Sequence, residues 1–203
     1  MSIRKGFKNS SVVVIIAFFV LLIANGLSMF AFSTTSWAYI NHKFINYQGY
    51  GLWRICATTG SCSLLDGTRS EWYMKVQAFG IFGMLGINIA LLLVISYLFV
   101  EWWEKDIELE VAAILCSFAG AIFYGLAVSI YKKEMPNWVA ISTDLEFGNS
   151  LTMAKSAAGV SAVGGGLLLV DVIMKRGSVT DGNDEQVTIG DEQVIVGDEQ
   201  QTV

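Results

Sequence analysis

Gly51-Leu52-Trp53-Arg54-Ile55-Cys56-Ala57-Thr58-Thr59-Gly60-Ser61-Cys62 lies between the first two long apolar runs of the chain. Five residues separate the two cysteines, and Thr58-Thr59-Gly60 among them suits a tight turn. The spacing fits a β-hairpin closed by a Cys56–Cys62 disulfide; two free thiols in a polar loop are the alternative. Closing so small a ring restricts the unfolded chain by roughly 2–2.5 kcal/mol in the chain-entropy model. Such a bond persists in an oxidising compartment, so the loop is expected to face the cell exterior or an organelle lumen.

On the N-terminal side, Arg4, Lys5 and Lys8 precede a long uncharged run whose apolar heart spans 12–32. A bilayer crossing takes about 20 residues. A cleavable signal peptide would show an apolar region of about 7–15 residues, so a retained helix is the better reading. The basic flank places the N-terminus in the cytoplasm. On the C-terminal side, uncharged or nearly uncharged runs at 76–100, 111–131 and 151–173 give three more helices. The fourth is the weakest by hydropathy, with Lys155 and Asp171 near its ends. The predicted fold is a membrane protein, mainly α: a four-transmembrane-helix bundle with a small extracellular antiparallel β-sheet. The outer loops are 33–75 and 132–150. Within the first, segments 37–41, 44–47, 52–57 and 62–65 are rich in aromatic and β-branched residues and punctuated by glycines, which predicts three or four strands. Pro136 is expected to break the third helix or bend its extension.

With 54% apolar residues arranged in blocks, an ordinary soluble domain is excluded. No basic patch with interleaved aromatics exists, which argues against nucleic-acid binding. The net charge of −5 resides mostly in the tail, 174–203, whose Asp-Glu-Gln triplets recur every seven residues with glycines between them. That composition reads as a disordered cytoplasmic tail. Its last residues, Gln201-Thr202-Val203, end in valine as PDZ ligands do, but lack Ser or Thr two residues earlier. A plain solvated terminus is therefore favoured over a weak PDZ contact at Val203. Both termini are placed in the cytoplasm of a multi-pass plasma-membrane protein. Lys and Arg summed over all loops do not favour either side, so topology rests on the first flank and the cysteine pair.

Small residues mark the faces by which helices pack in lipid, where van der Waals fit replaces hydrophobic drive. Candidates are Gly80, Gly83 and Gly86; Ser117, Ala121, Gly125 and Ser129; and, on the last helix, two strips, Ala158, Ala162 and Gly166 and Ala157, Ser161 and Gly165, of which the first is taken as the packing face. Asn25 and Asn88 are expected to bond between helices. Catalytic chemistry has little to build on. His42 is the sole histidine, Gly164-Gly165-Gly166 lacks the P-loop lysine, and Cys116 reads as a small buried hydrophobe. No enzyme activity, metal or cofactor is expected.

Trp37, then Gly51-Leu52-Trp53, then Cys56 and Cys62 give the order W…GLW…C…C. This resembles the first extracellular loop of the claudin superfamily, which includes claudins, peripheral myelin and epithelial membrane proteins, and stargazin-type receptor subunits. Trp72-Tyr73-Met74-Lys75-Val76-Gln77-Ala78-Phe79 resembles the entry to the family's second helix. Glu146-Phe147-Gly148-Asn149-Ser150-Leu151, Ala157-Ala158-Gly159 and Gly164-Gly165-Gly166-Leu167-Leu168 resemble its fourth helix and approach. The five residues between the cysteines make a more compact loop than a vertebrate claudin would have, so the resemblance is to the superfamily. It implies a left-handed bundle whose extracellular sheet associates with related four-helix proteins in the same membrane and the apposed one. Adhesion or paracellular barrier formation at cell junctions is the implied function; an auxiliary, stargazin-like subunit of an ion channel or receptor is the alternative. A small transporter is the weaker third reading, given the scarcity of intramembrane charge. In claudins, charged loop residues tune ion passage. The candidates here are Lys43, Arg54, Asp66, Arg69 and Glu71, whose nearly balanced signs imply no clear selectivity.

Overall fold

The computed structural model describes residues 11–42, 45–57, 59–65, 70–100, 107–139 and 145–192. Four helices, α1 (Val12–Ser33), α2 (Glu71–Phe99), α3 (Ile107–Trp138) and α4 (Asn149–Glu192), are joined by a sheet of β1 (Ala38–His42), β2 (Ile45–Tyr50), β3 (Arg54–Ala57), β4 (Cys62–Leu64) and β5 (Leu145–Phe147). All four helices contain a span long and apolar enough to cross a membrane, the last being the least apolar. Their outer faces carry exposed Phe19, Ile23 and Phe30, Phe82 and Leu92, Leu115 and Ile122, and Val163 and Ile173. Apolar surface this extensive has no place in water, and a helix is a form in which a lipid-embedded backbone satisfies its own hydrogen bonds. The chain is thus a multi-pass membrane protein by length and composition.

Inside the bundle, α2 lies along α3, while α4 packs on both α1 and α3. The α2–α3 seam is set by glycine. A Cβ on Gly86 would stand 2.8 Å from Gly120 Cα, and one on Gly120 would stand 2.9 Å from the Ile87 nitrogen. Backbones this close exclude any side chain. The α3–α4 seam is polar: buried Ser117 donates to the Ser161 carbonyl at 2.6 Å, and Ser161 returns a bond to the Ser117 carbonyl at 3.0 Å. Tyr124 of α3 reaches the Ser28 carbonyl of α1 at 3.0 Å. Asn25 Nδ2 donates to Asn88 Oδ1 at 2.9 Å, the interhelical bond read from the sequence. Each of these donors finds its acceptor inside the protein, as hydrocarbon offers none.

Several expectations are revised. The sheet has five antiparallel strands, ordered β4-β3-β2-β1-β5, because the second outer loop contributes a strand that pairs with β1. Pro136 does not break α3, which runs four residues earlier and seven later than the 111–131 expected. The proline falls in the last turn, where it deletes a single ladder bond just before the helix stops at Trp138. Helix α2 likewise begins at Glu71 rather than 76. The backbone of α4 remains helical through Glu192, across the first part of the segment read as disordered. No proline follows Pro136, and extending a helix is far easier than nucleating one. The remainder, 193–203, including Val203, lies outside the described residues.

Candidate functional site

The sheet sits at the end of the bundle where α1 finishes and α2 begins, and the residues of the W…GLW motif fasten it there. Trp37 is fully buried; its Nε1 donates to the Ala31 carbonyl at the end of α1 at 2.7 Å. Its ring meets Tyr131 of α3 edge-on at 5.2 Å. Trp72, Tyr73 and Trp138 join Tyr131 in a cluster of edge-on and tilted rings, with centroids 5.0–6.3 Å apart. Tyr50 packs on Trp138 at 5.9 Å, and burial pushes its phenol above the ordinary tyrosine range.

Gly51 marks a close approach of two backbone segments. A Cβ there would lie 2.7 Å from Thr35 Cα and 2.8 Å from the Thr34 carbonyl oxygen. Its own carbonyl accepts from the buried Tyr73 hydroxyl. Leu52 is fully buried against Gly80, where a Cβ would come within 3.1 Å of Leu52 Cδ2. Gln77, one turn into α2 beyond Tyr73, donates from Nε2 to the carbonyls of Leu52 and Leu65 at 2.9 and 3.1 Å. A single amide side chain thereby ties together the turn before β3 and the segment after β4. Trp53 packs on Phe32 of α1 at 5.2 Å, and its carbonyl accepts the Leu65 N–H at 2.8 Å.

Cys56 and Cys62 stand opposite one another in the β3–β4 pair and form a disulfide. The turn between them places Gly60 at φ +82°, a region that favours glycine, with its N–H bonded to the Ala57 carbonyl at 3.0 Å. On the other sheet edge, Gly148 is as constrained as Gly51: its Cβ would collide with the Ser36 carbonyl oxygen. Bonds from Gly148 N to Trp37 O at 3.0 Å and from Ser150 N to Ser36 O at 3.1 Å clasp the start of α4 to the start of β1.

Away from these anchors the sheet is open. Strands β4 and β5 each have one neighbour among the described strands. Leu64 on β4 is 79% exposed, and Phe147 on β5 is exposed beneath the Lys132 ammonium, 5.5 Å above its ring. Tyr39 donates to Glu146 Oε2 across the β1–β5 pair. Arg54 and Glu71, two of the charged candidates, are exposed; Lys43, Asp66 and Arg69 lie outside the described residues. Among the described residues, the sheet thus carries exposed apolar side chains and two edges without a neighbouring strand.

The packing candidates divide. Gly83 and Gly86 lie in the α2–α3 seam, and Ser117 lies in the α3–α4 seam. Ala121 and Gly125 do not continue the latter strip; both are half-exposed, and a Cβ on Gly125 would meet nothing within 4 Å. On α4 the buried strip is Ala157, Ser161 and Gly165, whereas Ala158, Ala162 and Gly166 are half-exposed and Gly166 has open space beside it. The two strips have identical spacing and differ by one residue of helix rotation, about 100°, so only the position of α3 distinguishes them. The grips of Tyr73, Gln77 and Gly148 were not legible as such, although each falls within a stretch already noted.

No family model matches this chain, and no curated protein sequence matches it.

Proposed function

We propose that this protein is a claudin-like integral membrane protein of cell–cell contacts, acting in adhesion or paracellular barrier formation through its outer sheet. The observation that carries the reading is the attachment of that sheet. The motif residues Trp37, Gly51 and Leu52 all point their constraints down into the helix ends, leaving the stapled β3–β4 hairpin and both sheet edges projecting. A surface held rigidly at its base and open at its rim suits recognition of a neighbouring molecule. Its occupants on this reading are related four-helix proteins, in the same bilayer and in the apposed one. Expression of a tagged chain in cells that lack such junctions tests it: accumulation at cell contacts is expected, and uniform surface distribution would count against adhesion.

A second reading, an auxiliary subunit of a channel or receptor, is favoured by one feature. The half-exposed small residues Ala121 and Gly125 on α3 leave a shallow lipid-facing strip with no partner beside Gly125 among the described residues. Stoichiometric co-purification of a channel, without enrichment at contacts, would select this reading.

A further inference from the structure

At the end of the bundle opposite the sheet, three helices meet in a charged cluster that the outer-surface reading does not use. Glu110 of α3 and Asp171 of α4 are each only 2% exposed. Lys175, one turn beyond Asp171, donates from Nζ to Glu110 Oε2 at 2.9 Å and to the Tyr97 hydroxyl of α2 at 2.9 Å, and its ammonium contacts Asp171 Oδ2. Ser11, just before α1, lies within hydrogen-bonding range of Asp171. Glu108 and Arg176, next along the same helix ends, are exposed.

The donors and acceptors do not balance. Two buried carboxylates share one ammonium, and the side chains of Glu110 and Asp171 also lie within hydrogen-bonding range of each other. Glu110 Oε1 is buried and accepts no hydrogen bond, whereas Asp171 Oδ2 faces the Lys175 ammonium. Glu110 therefore keeps one buried oxygen without a donor, beside a second carboxylate that already takes the Lys175 ammonium, the arrangement expected of a carboxyl–carboxylate pair. With both groups ionised, the described residues of the cluster would hold one negative charge more than the Lys175 ammonium balances, where there is little water to solvate it. We infer that Glu110 and Asp171 form a proton-binding site, Glu110 carrying the proton as a carboxylic acid that donates to Asp171, while Lys175 neutralises the remaining charge. The O–H so formed makes a donor of the otherwise unpartnered Glu110 carboxyl and links α3 to α4. Loss of the proton puts two like charges in contact across that seam.

Infrared spectroscopy of the purified full chain in lipid vesicles tests this. Exposed Asp and Glu are ionised at neutral pH, so a protonated-carboxyl stretching band there reports a buried acid. Wild type is expected to show that band at neutral pH and to lose it on alkalisation, and Glu110→Gln is expected to lack it. A wild-type spectrum without the band at neutral pH overturns the inference, as does a band that persists in Glu110→Gln. Should Glu110→Gln fail to fold, Asp171→Asn supplies the second arm. Removing the neighbouring charge leaves Glu110 as the ionised partner of Lys175, so the band should again vanish; its persistence would contradict the assignment.

Discussion

At the residue scale, the outer sheet depends on a few side chains that face downwards. Gln77→Leu leaves the buried carbonyls of Leu52 and Leu65 without their shared donor. Orphaning a buried acceptor costs about 1–3 kcal/mol, so a loss of about 2–4 kcal/mol is expected for the pair, read as a lowered thermal midpoint in detergent. Gly51→Ala should be at least as damaging, because the new methyl would meet the Thr35 Cα and the Thr34 carbonyl oxygen, and backbone atoms cannot rotate aside. Gly125→Ala and Gly166→Ala, each entering open space, should leave the midpoint unchanged or slightly raised. Tyr50 adds a pH dependence. Its burial holds the phenol neutral in the fold, so its contribution to stability is complete below the unfolded value near pH ~10 and is lost as pH rises through the higher folded value. Tyr50→Phe, which has no phenol to ionise, should blunt alkaline unfolding of the sheet, followed by tryptophan fluorescence.

At the scale of elements, the reading of the chain succeeded where one segment contains its own signal. The four apolar runs and the hairpin turn with its two cysteines are of this kind. It failed where the signal belongs to a partner. Leu145-Glu146-Phe147 is too short to announce itself as a strand, and becomes β5 only because β1 offers it an edge. The equal spacing of Ala157/Ser161/Gly165 and Ala158/Ala162/Gly166 could not reveal which strip faces α3. Nothing in the segment around Glu110 signals its burial, because the cation that meets it, Lys175, belongs to another helix. The seams themselves give a contrast. Gly120→Leu should separate α2 from α3 and prevent stable folding, since the side chain would enter the Ile87 backbone. Ser117→Ala should cost about 1–2 kcal/mol, the loss of one buried donor at the α3–α4 seam. Expression level and monodispersity in detergent, compared for the two variants, give the order.

At the scale of the whole molecule, the two ends are built differently. The outer end is aromatic and closed by a disulfide, whereas the opposite end is held by charge among Glu110, Asp171 and Lys175. A disulfide persists in an oxidising compartment, so the proposed reading places the sheet outside the cytosol. The central claim of the proposed reading is that four membrane-crossing helices present a stapled sheet to the cell exterior. Thiol labelling of intact cells with a membrane-impermeant reagent, before and after an impermeant reductant, tests that claim most directly. Cys56 and Cys62 should label only after reduction from outside, with no permeabilisation needed. Labelling of both without any reductant, and only once the membrane has been opened, would contradict it.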